Sequence, residues 1–330
     1  MENKKHLFLK HFTQCTTTLI ILLLLATNSI SASTGDLDDN GFIDFDDLYL
    51  LNQGWLTSYD MIDFAAMAQN WLEPVSIEGW TLVWSDEFNG TSLDTTNNWE
   101  CMIGDGCSYG ICGWGNSELE YYRAENATVS GGYLTIEARE ESYGGKAYTS
   151  ARIRSKDKQD FLYGRMEARI KVPTGGGMWP AFWMMPTDEV YGGWSASGEI
   201  DIMETKNDTD YIGGTIFYGG SWPDYVSSGC RYEPVGVDFS DDFYVYAIEW
   251  EPDEMRWYVN GILYCTITSS TWYSDGDPSN DRAPFDEYFH FLLNVAVGGY
   301  YTGCTSPSCI TASLPQQMII DYVRVYQQVP

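Results

Sequence analysis

From Trp80 to Tyr326 the chain is written in short alternating segments, and no long amphipathic helix follows Trp71. Leu134-Thr135-Ile136-Glu137-Ala138-Arg139, Arg165 to Val172, Phe243 to Trp250, Met255 to Val259 and Phe289 to Val297 supply the pattern, with Gly, Asn and Asp in the gaps. Successive side chains on a strand point to opposite faces, so a half-buried strand alternates apolar and polar residues. Many such strands, with no helices to cover them, are expected to form two packed antiparallel sheets: an all-β sandwich. One sandwich takes about 200 to 250 residues. The start of a 330-residue chain is left for something smaller.

Within that pattern, Gly198-Glu199-Ile200-Asp201-Ile202-Met203-Glu204-Thr205 spaces three acids with apolar residues. The β-branched pair Ile200 and Ile202 favours a strand. Strict period two puts Glu199 and Asp201 on one face and turns Glu204 away. All three share a face only if one extra residue is inserted near Ile202-Met203 as a β-bulge. Crowded like charges repel, and glycoside hydrolysis is one use for them. One carboxyl attacks the anomeric carbon while its partner protonates the departing oxygen, about 5 Å away in enzymes that retain configuration. The backbones of Glu199 and Glu204 would stand about 13 Å apart, a gap that long side chains leaning inward largely close. Asp201, between them, is placed to hydrogen-bond one and keep the two unequal in pKa. The competing explanation is a solvated face in a chain with 47 acidic residues.

The acid strand follows Gly175-Gly176-Gly177-Met178-Trp179-Pro180-Ala181-Phe182-Trp183-Met184 by a short linker, a combination that resembles glycoside hydrolase family 16, especially its laminarinase-like β-1,3-glucanases. The resemblance covers about residues 80 to 327. It includes Trp84-Ser85-Asp86-Glu87-Phe88-Asn89-Gly90, Gly115-Asn116-Ser117-Glu118-Leu119-Glu120-Tyr121-Tyr122, Tyr163 to Ile170, Leu292 to Gly299 and Asp321-Tyr322-Val323-Arg324-Val325-Tyr326. It implies a jelly-roll sandwich with a concave sheet forming the cleft, Glu199 as nucleophile, Glu204 as general acid/base and Asp201 as auxiliary carboxylate. Trp179 is implied to stack on sugar, and Trp183 to do so or to belong to the core. Asn116 and Arg152 match residues that contact glucosyl hydroxyls, with turn capping or acid pairing as alternatives. Glu87, the Gly132 carbonyl and Asp321 match a calcium site away from catalysis, where hard oxygen ligands suit that ion. One departure is Phe217 in Gly214-Thr215-Ile216-Phe217-Tyr218-Gly219-Gly220, where laminarinases often carry His.

The implied activity is a secreted, retaining, endo-acting β-1,3-glucan hydrolase that needs no cofactor for catalysis. The alternatives are the same chemistry on a galactan such as agarose, and a lectin-like sandwich without catalysis. Thirteen Trp and 24 Tyr suit a cleft that stacks on sugar faces. A net charge of −29 disfavours nucleic acid as a partner, because phosphate neutralisation needs clustered cations.

Residues 1–33 read as an export leader: Lys4, Lys5 and Lys10, the apolar run Leu19 to Ala26, then Ser31-Ala32-Ser33. Residues 34–74 read as a dockerin-like calcium module, and residues 75–330 as the catalytic sandwich. In the module, Asp36, Asp38, Asn40, Asp44 and Asp47 fall at the ligand positions of an EF-hand-type loop, with Gly41 at the turn and the Phe42 carbonyl between. A helix is expected after it. A second half-repeat, Asp60 to Leu72, has lost its early acids, so one calcium is expected there, with a cohesin-like or cell-surface partner. In an exported chain without its leader, seven cysteines should mostly pair. Cys304 and Cys309 are expected to bridge. Cys101, Cys107 and Cys112 compete for one or two local bonds, and at least one thiol stays free.

Overall fold

Alternation in the sequence becomes two stacked sheets in the computed structural model, which describes Ile77 and residues 79–328. The expected leader, the calcium loop from Asp36 to Asp47 and the helix after it lie outside the described residues. The chain divides between Ile77 and Glu78, and the sandwich belongs to the second unit.

One sheet runs in the order Tyr225–Tyr232, Asp208–Gly219, Glu199–Lys206, Met178–Pro186, Phe289–Val297, Arg152–Arg154 and Glu100–Cys101. The other runs Ile262–Thr268, Glu254–Val259, Tyr244–Glu251, Gly164–Lys171, Gln316–Gln328, Tyr133–Tyr143, Lys146–Ser150 and Glu120–Tyr122. Neighbours pair antiparallel except Glu120–Tyr122 on Lys146–Ser150. Leu134, Ile136 and Ala138 from one sheet and Phe289, Phe291, Leu293, Val295 and Val297 from the other point inward and are fully buried. The alternate residues, among them His290, Leu292 and Asn294, face the opposite way.

The bulge falls where the acid spacing requires it. Across from Met178–Pro186, Phe182 pairs with Met203 but Trp183 pairs with Asp201, so Ile202 is the extra residue. On the other side Asp201 pairs with Thr215 and Glu204 with Gly213. Ile200, Ile202 and Met203 all sit in the core, and Glu204 returns to the face of Glu199 and Asp201. From the opposite sheet Trp257 donates its Nε1–H to the Asp201 carbonyl at 2.9 Å. Gly214 permits this approach, because a Cβ there would stand 2.4 Å from the Trp257 ring.

Three disulfides join Cys107 to Cys112, Cys230 to Cys265 and Cys304 to Cys309. The expected Cys304–Cys309 bridge is present, and Cys101 is the free thiol among the described residues. Cys230–Cys265 ties an edge strand of one sheet to an edge strand of the other.

Candidate active site

Each outer carboxyl of the acid strand receives one indole. Trp179 lies on the outward face of the neighbouring strand and donates Nε1–H to Glu204 Oε1 at 2.7 Å. Trp194, in the turn leading into the acid strand, donates Nε1–H to Glu199 Oε2. Between them Asp201 is 2% exposed, and no donor reaches its buried Oδ2. Burial, then Glu204 and Glu199, push Asp201 far above the ordinary carboxyl range. That shift favours its protonated form, which can donate to Glu199.

Glu199 is raised to about 7 by burial and then by Glu204, against the opposing pull of Trp194, Arg152 and Asp201. Burial also raises Glu204 to about 7, opposed by Trp179 and Lys206. A cleft thus holds two carboxyls poised near neutrality and a third pushed further toward its protonated form. One acid can be charged while another carries a proton, as nucleophile and general acid require.

Toward the Phe289–Val297 and Arg152–Arg154 strands the face turns polar. Arg152 is buried between two indoles, 4.7 Å from the Trp114 ring and 4.8 Å from that of Trp183. Trp183 Nε1 donates to Asn294 Oδ1 at 2.8 Å, and Asn294 Nδ2 donates to the Tyr122 hydroxyl at 3.3 Å. Tyr122 donates in turn to Glu118 Oε2 at 3.1 Å, and Asn116 Nδ2 to Glu118 Oε1 at 3.3 Å. Burial pushes Glu118 upward while Arg152 opposes it. Glu120, beside it, is pushed up by burial and then by Glu118, and accepts a hydrogen bond from the Val297 amide. Trp183 packs against a small outer cluster of Met102, Trp114, Tyr122 and Leu292, so it belongs to the wall of the cleft rather than to the main core.

Lys206 and Tyr301 brace the other side of Glu204. Tyr301 packs 5.0 Å from Trp179, and Lys206 Nζ lies 3.9 Å from the Tyr301 ring centre. Phe217, the departure noted above, pairs directly with Glu199 across the strands. An apolar ring therefore stands beside that acid.

The residues matched to an outer calcium site lie on the far sheet. Arg324 grips both Glu87 oxygens, at 2.8 and 2.7 Å, and Arg169 holds Asp321 at 2.8 Å. Gly132 lies in the turn between Ala127–Ser130 and Tyr133–Tyr143. The donors are hard oxygens, but as arranged the carboxylates serve two arginines. Among the described residues no group of three or more His, Cys, Asp or Glu is placed to hold a metal ion.

The sequence profile of glycosyl hydrolases family 16 matches residues 114–282. A β-glucanase from Rhodothermus marinus is 41% identical over 257 residues, which cover 76% of this chain and 86% of that protein. The chain belongs to glycosyl hydrolases family 16. A glucan endo-1,3-β-glucosidase A1 from Niallia circulans is 43% identical over 265 residues, and the match covers 77% of this chain but only 39% of that protein. Among solved structures, the catalytic domain of an endo-1,3-β-glucanase (laminarinase) from Thermotoga petrophila matches at 43% identity with a TM-score of 0.67. That match covers 76% of this chain and 99% of the other.

In this family 16 chain the structure brings Glu199, Asp201, Glu204, Trp179, Trp183, Asn116 and Arg152 onto one face. Sequence reasoning missed Trp194, Glu118, Glu120, Asn294 and Tyr301 as members of the site. Trp194 left one signal, a large ring in an otherwise small-residue run five positions before Glu199. The Glu118 and Glu120 spacing reads as an ordinary exposed strand until the structure buries both.

Proposed function

We propose that this protein is an endo-acting β-1,3-glucan hydrolase that retains anomeric configuration, exported and carrying a calcium-binding, dockerin-like N-terminal module. The observation that carries the catalytic reading is the bulge, which returns Glu204 to the face of Glu199 and gives each acid its own indole donor. Glu199, ionised and steadied by Trp194 and the Asp201 proton, attacks the anomeric carbon. Glu204 gives its proton to the departing glycosidic oxygen. Water then enters on the same side: Glu204 takes its proton, the glycosyl–Glu199 bond breaks, and the sugar leaves with its original configuration. The names of the β-1,3-glucanase relatives support the substrate.

Three measurements test the reading. Laminarin should yield reducing ends and internally cut products faster than agarose or carrageenan, and agarose cleaved faster would overturn the glucan assignment. Proton NMR of the first products should show the β anomer. With an activated aryl glycoside, Glu204→Ala should be rescued by azide, which replaces the missing base-activated water. Rescue of Glu199→Ala instead would reverse the two roles.

Calcium at Asp36, Asp38, Asn40, Asp44 and Asp47, with the Phe42 carbonyl, rests on ligand spacing. Calorimetry of the full chain, before and after substitution of Asp36 and Asp38 by Ala, should lose one binding event. A second calcium, at Glu87, Gly132 and Asp321, would have to take the place of two arginines.

A further inference from the structure

On the flank away from Arg152, the catalytic face continues into a cluster of rings, of which Trp194 alone is bonded to a carboxyl of the acid strand. Phe217 stands beside Glu199, and Tyr225 lies one strand further out, opposite Gly219 on the edge strand. Trp194, whose indole holds Glu199, packs on Phe217, Tyr225 and Trp222, with ring centres 5.5, 5.2 and 6.1 Å away. Trp222 and Tyr225 stack almost flat on each other, 5.6 Å apart and 9° from parallel.

Trp222 is 68% exposed and Tyr225 43%. Large rings left in water forgo the gain of burial. A stacked pair joined to a cleft therefore offers apolar surface that a stacking ligand would cover. The turn that carries them is fixed in place. The Trp222 amide donates to the Trp194 carbonyl at 2.7 Å, and the Gly220 amide to the Asp224 carbonyl at 3.1 Å. The platform is thus already formed when a ligand arrives, which lowers the cost of binding. Asp224 and Asp275 lie beside Gly220 and would repel a sulfated ring, whereas a neutral sugar meets no such penalty.

We infer that Trp222 and Tyr225 form an outer subsite that stacks on the apolar face of a neutral glucosyl ring of the bound chain, beyond the ring under attack. This rests on the glucan-hydrolase reading above. Two strand spacings, about 10 Å, separate the acid strand from the Tyr225 strand. A short oligomer held at the acids does not extend that far, and a long one does. The platform therefore sets chain-length preference.

The test is kcat/KM along a series from laminaritriose to laminariheptaose for the full chain and for Trp222→Ala, Tyr225→Ala and Trp222→Phe, each checked for fold by circular dichroism. The heptaose-to-triose ratio should fall about tenfold in each alanine variant, the worth of one lost stacking contact. Trp222→Phe, which keeps a ring, should hold most of the ratio. Alanine variants that keep the unsubstituted ratio would overturn the subsite and leave the glucanase reading standing. A full chain that turns over no member of the series would overturn that reading, and the platform's ligand with it.

Discussion

The sandwich has two outer faces, both lined with buried acids, and they neutralise those acids by different means. On the Gly164–Lys171 side, Arg165 meets Glu167 at 2.9 Å and Glu249 at 3.1 Å, and Arg256 meets Glu249 at 3.0 Å and Glu251 at 2.7 Å. On the Glu199–Lys206 side, no ion pair among the described residues touches Glu199, Asp201 or Glu204, and burial drives all three upward. Arginine offsets the cost of a buried carboxylate by pairing with it. Protons remove the cost reversibly. The first face is thereby suited to stability, and the second to moving protons and forming bonds.

The largest expected effects separate the faces outright. Glu199→Ala should lower laminarin turnover by at least about 10⁴-fold, since it removes the nucleophile of the proposed two-step displacement. Its thermal midpoint should stay level or rise, because an acid held without a cation has been removed. Arg165→Ala should do the reverse. Glu167 would be left buried without its cation and Glu249 with Arg256 alone, at a cost of about 3–5 kcal/mol by urea denaturation, while folded protein keeps its turnover rate. A Glu199 variant that unfolds, or an Arg165 variant as stable as the parent, would erase the distinction.

How much of this was legible in the sequence follows from the range of each interaction. The bulge was readable because period two and three acids at 199, 201 and 204 conflict unless a residue is inserted, which is a local constraint. Cys304–Cys309 was readable for the same reason, with only four residues between the thiols. The Arg165–Glu249 pair was not: its partners lie 84 positions apart and meet only because the Gly164–Lys171 and Tyr244–Glu251 strands pair in one register. Trp194 was missed because its approach to Glu199 depends on the turn between them. Glu118 and Glu120 alternate as an exposed strand would, and what buries them is the Phe289–Val297 strand and the outer cluster around Trp114, both set by long-range topology. The family resemblance reached the three carboxyls of the proposed mechanism. It did not reach the groups that tune them.

The smallest effect is the sharpest test of how that tuning is divided. The proposed mechanism requires Glu199 ionised and Glu204 protonated, so kcat/KM should fall at low pH as Glu199 takes up a proton and at high pH as Glu204 loses one. With both groups raised to about 7, the profile should be centred near neutrality, well above the usual carboxyl range, and its limbs belong to the coupled pair. Each indole donates to one carboxyl and so favours its charged form. Trp194→Phe removes the bond to Glu199, raises that group further and should move the acidic limb up. Trp179→Phe removes the bond to Glu204 and should move the basic limb up. Each shift should be about half a unit to one unit, the worth of one charge-assisted hydrogen bond in a partly solvated site. Limb position is independent of how much binding either ring supplies, so a loss of sugar stacking at Trp179 would raise KM without imitating the shift. If Trp194→Phe moved the basic limb and Trp179→Phe the acidic one, Glu199 would be the proton donor and Glu204 the nucleophile.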